Sequence, residues 1–105
     1  MIVVHPNDIS VGLDWSDVFQ NDHPLKLEVG FGTGDFLIHL ASQDLLCNYV
    51  GIEKLRRYVH KAKKKVEARS LNNVRLINGE ATSIIPQVFG RKKIKEVYIN
   101  FPDPW

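Results

Sequence analysis

The stretch Leu25-Lys26-Leu27-Glu28-Val29-Gly30-Phe31-Gly32-Thr33-Gly34-Asp35 decides how this chain is read. Its first five residues have the pattern of a short strand, and Phe36, Leu37, Leu40 and Ala41 follow at helical spacing. Between strand and helix, glycines stand at positions 30, 32 and 34. A residue without a Cβ lets a ligand lie against the backbone, and the helix that follows offers unpaired N–H groups at its start. Dinucleotide sites space their glycines G-x-G-x-x-G and seat a pyrophosphate on that helix. Here the spacing is G-x-G-x-G, with the acid Asp35 where a pyrophosphate would sit and a second acid, Glu28, ahead of the loop.

Working outward, residues 47–52 form a second strand that runs into Glu53, and Leu55, Val59, Ala62 and Val66 keep the period of an amphipathic helix. Residues 73–78 are a third strand. A short helix over residues 81–89 requires Pro86 to lie in its first turn, because an interior proline removes a hydrogen bond. Residues 94–101 are a fourth strand in which Val97, Ile99 and Phe101 alternate. Strands alternating with helices predict an α/β domain with a mainly parallel sheet, whose ligands bind at the carboxyl ends of the strands. Residues 1–24 read as a lead-in rich in turn formers, with one helical spacing at Trp15, Val18 and Phe19; residues 25–105 are the body of the domain. Because a fourth strand is usually interior in such sheets, the chain is expected to be the front part of a larger domain.

The composition agrees. With 105 residues, 44% hydrophobic and 25% charged, the chain has the profile of one ordinary globular core. Fourteen Lys and Arg against 12 Asp and Glu give a net charge of +2, too small to demand or exclude a nucleic-acid partner. The single cysteine, Cys47, has no internal partner and is expected as a buried free thiol in a reducing compartment. No apolar run approaches the ~18 residues of a membrane span, the first residues lack the charged start of a signal peptide, and no metal-ligand spacing is present. A cytoplasmic location follows; nothing indicates an oligomeric state.

The acids at the strand ends carry the chemistry. An acid beside the glycine loop suits a ligand with a cationic amino group and no phosphate, a description that S-adenosylmethionine meets. Glu53 lies 23 residues after Gly30, where an acid holds a ribose diol; the alternative is an N-cap for a helix beginning at Lys54. In Asn78-Gly79-Glu80-Ala81 an acid or amide offers acceptors to an adenine amino group, and Gly79 and Ala81 leave room for a flat ring; a turn with a helix cap is the alternative. Asn100-Phe101-Pro102-Asp103-Pro104-Trp105 holds Asp103 between two prolines beside two aromatic residues, a stiff loop suited to hydrogen-bonding a heteroaromatic ring. Lys54, Arg56, Arg57, Lys61, Lys63, Lys64, Lys65 and Arg69 place eight of the 14 cations on one segment, either a solvated face or a contact with a phosphate backbone.

Together, residues 28–36, Gly51-Ile52-Glu53 and Asn100-Phe101-Pro102-Asp103-Pro104-Trp105 resemble the tRNA (guanine-N(7)-)-methyltransferase family of the bacterial single-chain type. The resemblance implies a Rossmann-like S-adenosylmethionine-dependent methyltransferase fold, here its first four strands, and a guanosine in the variable loop of tRNA as substrate. By motif it implies cofactor contacts at Glu28, Gly30, Gly32, Gly34, Glu53, Glu80, Ala81, Asn100 and Asp103, with Asp103 as the catalytic residue. Glu80 stands where the family commonly has Asp. The family continues past the tryptophan with a basic stretch and further strands, so this chain is expected to carry the cofactor half of the site and to be inactive alone. Two other functions fit the same residues. One is methylation of an exocyclic amino group, whose loop has adjacent prolines where Asp103 intervenes here; the other is a cofactor-binding module without catalysis.

Overall fold

The computed structural model describes residues 2–10, 13–88 and 94–99. In chain order the elements are α1 (Pro6–Ser10), α2 (Trp15–Phe19), β1 (Leu25–Val29), α3 (Asp35–Gln43), β2 (Asn48–Glu53), α4 (Arg56–Ala68), β3 (Val74–Asn78), α5 (Ala81–Val88) and β4 (Ile94–Ile99). The strands form one sheet in the order β3-β2-β1-β4, and every pairing is parallel. The order reverses between β1 and β4, and the carboxyl end of β1 therefore lies at the switch point.

Strict alternation along the strands feeds two cores. On one face Leu25, Leu27, Val50, Ile52 and Ile77 pack with Trp15, Phe19 and Ile84. On the other, Tyr49, Val74 and Leu76 meet Leu37, Ile38 and Ala41 of α3 and Val59, Ala62 and Val66 of α4. The lead-in is built into this architecture. Leu76 N–H donates to Ile2 O at 2.9 Å and Val4 N–H to Leu76 O at 2.8 Å, so the N-terminal residues add a parallel stub to the β3 edge. Asp14 caps α2 by accepting from Ser16 N–H. The loop before β3 is tied down by Asn73, whose buried Nδ2 donates to Ala41 O, Asp44 O and Cys47 O at 3.0–3.2 Å.

Two details depart from the sequence expectation. Pro86 is the sixth residue of α5, not in its first turn; it has no N–H to return to the carbonyl one turn back, so the helix continues with one rung missing. In β4 the alternation is present but unburied. Val97 and Ile99 pair in register with Leu27 and Val29, yet are 48% and 53% exposed. They continue the apolar face of the sheet past the reach of the described helices. On the opposite face Lys26, Glu96 and Tyr98 form a polar seam. Burial works against the charge of Lys26, but its ion pair with Glu96 at 3.3 Å and its approach to Tyr49 more than offset that and raise its pKa. The hydrogen bond Tyr98 donates to Glu96 likewise pushes the phenol up. Cys47 is buried and free, and burial with Asp44 nearby pushes its thiol up. Among the described residues, no helix is long and apolar enough to cross a membrane.

Candidate functional site at the carboxyl ends of the strands

The register aligns the three strand ends that the acids follow. Glu28 pairs with Gly51, Val29 with Ile52, and Glu53 with Asn78, so the turns after β1, β2 and β3 lie side by side on one rim. The glycine loop folds by main-chain bonds: Gly30 N–H donates to Ile52 O at 2.7 Å and Gly34 N–H to Phe31 O at 2.9 Å. Gly30, Gly32 and Gly34 all have positive φ, of 73°, 60° and 88°.

The last two of these glycines have different tasks. A Cβ on Gly34 would stand 2.8 Å from Ala62 Cβ, so this glycine lets the start of α3 pass close to α4. A Cβ on Gly32 would meet nothing within 4 Å. The main chain at Gly32 therefore borders open space.

Glu53 joins the loop to its neighbours. It is 7% exposed. Its Oε1 accepts from Gly32 N–H and its Oε2 from Leu55 N–H, both at 2.9 Å. Each carboxylate oxygen has a second lone pair, so the group keeps two acceptor positions for a diol. The N-cap alternative does not hold, because α4 begins at Arg56 and its N-cap is Leu55. From β3, the Asn78 amide donates to Glu53 O and Lys54 O at 3.0 and 3.1 Å, and Gly79 N–H donates to Glu53 O at 3.1 Å. Glu28 is 1% exposed, within β1 on the α3 and α4 side of the sheet. Glu80 is exposed, and its carbonyl starts α5 by accepting from Ser83 and Ile84 N–H. Ala81 follows, half-buried.

The structure thus places Gly30, Gly32, Glu53, Glu80 and Ala81 at the carboxyl ends of the strands, with Gly34 packed against α4 and Glu28 buried within β1. Asn100 and Asp103, with the rest of the proline-rich loop, lie outside the described residues. Sequence reading missed Lys65. From the third turn of α4 its Nζ donates to Thr33 O at 3.1 Å and to Asp35 Oδ1 at 2.7 Å, clamping the glycine loop. That bond holds the Asp35 carboxyl below the usual carboxylate range. The signal was present, a cation opposite an acid, but seven other cations around Lys65 obscured it.

These residues can hold a nucleoside. A glycine loop open at Gly32 and a buried carboxylate with two spare acceptor positions, with a second buried acid in β1, fit S-adenosylmethionine, with its ribose diol and cationic amino group. Comparison with known proteins agrees on the class. Residues 22–105 match the family model described as "Putative methyltransferase". The chain belongs to that methyltransferase family. Its relatives include the tRNA (guanine-N(7)-)-methyltransferase of Bacillus velezensis, 44% identical over 91 residues that make up 87% of this chain and 42% of the relative. The enzyme of the same description from Bacillus subtilis is 41% identical over the same shares. These matches bear out the resemblance seen in the motifs, and the chain spans less than half the length of both relatives. Among solved structures, "Structure of an antibiotic related Methyltransferase" aligns with a TM-score of 0.70 over 85% of this chain and 46% of that one, at 22% identity, and shares the fold.

Proposed function

We propose that this chain is the cofactor-binding part of an S-adenosylmethionine-dependent methyltransferase that forms 7-methylguanosine in tRNA. The observation that carries the reading is the Glu53 carboxylate, fixed by Gly32 and Leu55 N–H at the end of β2 beside the open main chain of Gly32. The names of the relatives supply the tRNA and the methylated atom, and a cytoplasmic location is consistent with that substrate.

When bound, S-adenosylmethionine supplies a methyl group activated by its sulfonium. The chain's residues then have three tasks. Gly32 lets the ligand approach the main chain. Glu53 accepts from the ribose hydroxyls, and Glu28 and Glu80 set the charge and the acceptors at the two ends of the site. Asp103 orients the guanine. N7 of guanine already carries a free lone pair, so Asp103 has no proton to abstract, and the contribution is positioning, which supplies up to about 7–11 kcal/mol of barrier reduction.

Calorimetry with S-adenosylhomocysteine, beside NADH as control, tests the cofactor assignment; binding of NADH alone overturns it. In the full-length enzyme, Asp103→Ala is expected to abolish transfer to a tRNA transcript while S-adenosylhomocysteine still binds and the melting temperature holds. Normal turnover refutes the role of Asp103. Nuclease digestion and mass spectrometry of the product locate the methyl group, and an exocyclic amino product replaces this reading with the other.

A further inference from the structure

Away from the glycine loop, the N-terminal stub and α4 enclose a cleft of about 400 Å³, within the size range of small-molecule sites. His5 and Pro6 form one wall, Arg56, His60 and Lys63 the other, and Asn78 lies at the end of β3. Arg56, His60 and Lys63 are spaced i, i+4, i+7, so one helical stripe supplies the basic wall. Among the described residues, none that lines it is acidic. On the facing wall His5 Nδ1 accepts from Asn7 N–H at 3.2 Å, which leaves Nε2 of the neutral ring as a hydrogen-bond donor. Among the described residues the cleft is therefore a concave site with two cations, at least one imidazole donor and no competing carboxylate.

We infer that this cleft binds a phosphodiester of the RNA substrate; the inference rests on the tRNA reading proposed above. Two observations favour a polynucleotide over a free small anion. Beside the cleft, α4 carries a second basic stripe, Arg57, Lys61 and Lys64, all exposed, so positive surface continues beyond the cavity along the helix. The cleft is also lined by Asn78, whose amide holds the main chain of Glu53 and Lys54. A backbone seated there lies next to the rim that holds Glu53, on its β3 side. Arg56 and Lys63 neutralise the phosphate, the histidines donate to its oxygens, and the outer stripe adds diffuse attraction.

The two stripes provide the test, because each loses the same charge from the same helix. Fluorescence anisotropy of a labelled tRNA transcript is measured against KCl concentration for the full-length protein, for Arg56→Gln/Lys63→Gln and for Lys61→Gln/Lys64→Gln. The cleft pair is expected to weaken binding by about ten-fold or more and to reduce the slope of log Kd against log[KCl] by about 0.7–0.9, the share of the one phosphate contact that is lost. The outer pair is expected to weaken binding less than about three-fold, as a diffuse contribution does. Affinity for S-adenosylhomocysteine, measured on the same samples, stays at the wild-type value in both. His60→Gln, a milder change in the same wall, is expected to weaken tRNA binding without altering the slope. Equal losses from the two pairs, or a cleft pair indistinguishable from wild type, overturn the inference while leaving the proposed function standing. Failure of the wild-type protein to bind tRNA overturns both.

Discussion

Placing a methyl group on Gly34 tests both the packing and the division of labour in the glycine loop. Gly34 has φ 88°, and its Cβ would lie 2.8 Å from Ala62 Cβ. Adopting a left-handed conformation costs an alanine about 1–2 kcal/mol. The overlap adds about 1–3 kcal/mol, since Ala62 has no rotamer with which to yield and α4 itself must move. Gly34→Ala is therefore expected to lose about 2–5 kcal/mol, which lowers the melting temperature of a domain this size by at least about 8 °C. Gly32→Ala carries only the backbone term, about 1–2 kcal/mol, because nothing lies within 4 Å of its Cβ. Its effect falls on the ligand instead, and binding of S-adenosylhomocysteine should weaken at least about ten-fold, or 1.4 kcal/mol. Circular-dichroism melts and calorimetry on the two variants separate the effects. A double-mutant cycle completes the experiment: Ala62→Gly removes the atom that the new methyl strikes, so its combination with Gly34→Ala should show a coupling of about 1–3 kcal/mol in the relieving direction. If Gly34→Ala melts no lower than Gly32→Ala, if the cycle shows no coupling, or if Gly32→Ala binds normally, the roles assigned to these positions are wrong.

Other outcomes follow from the same geometry. Glu53→Gln should weaken S-adenosylhomocysteine binding by about 1.5–3 kcal/mol, the worth of hydrogen bonds to a charged group; unchanged affinity in calorimetry would remove Glu53 from the site. Asn73→Ala leaves the carbonyls of Ala41, Asp44 and Cys47 without their shared donor, and chemical denaturation should show a loss of about 1–3 kcal/mol. Lys65→Met should raise the Asp35 pKa toward the ordinary value in a carboxyl-detected NMR titration. Because Lys65 lowers that pKa in the folded protein, its contribution to stability is present above the ordinary carboxylate pKa and lost as pH falls through the folded one. Wild type and variant should therefore converge in stability at low pH.

The parts of the fold that depend on local periodicity were legible in the sequence. The order of strands and helices from β1 to β4, the buried stripe Val59, Ala62 and Val66, and the positions of Glu28, Glu53 and Glu80 near strand ends follow from repeats of two and 3.6 residues and from turn chemistry, whereas α1 in the lead-in was not expected. What was not legible depends on contacts between distant segments. The bridge from Val3 to Leu76 joins segments more than seventy residues apart and has no local signature. The clamp from Lys65 to Thr33 likewise depends on how α4 lies over the loop. The alternation in β4 was visible, but whether its apolar side is covered depends on which helices reach that edge, and spacing within a strand carries no information on that. At Glu53, spacing left ribose binding and helix capping both open; the observed start of α4 removes the second.

The way Glu53 is held bears on how such a site tolerates mutation. Both groups that fix its carboxylate are amide hydrogens of the main chain, contributed by positions 32 and 55. Every amino acid except proline provides the same donor, so a substitution at position 55 leaves the acid oriented as before. The exception is Lys65 of α4, whose side chain reaches Thr33 and Asp35, so a change there alters the loop where a change at position 55 leaves the carboxylate held as before.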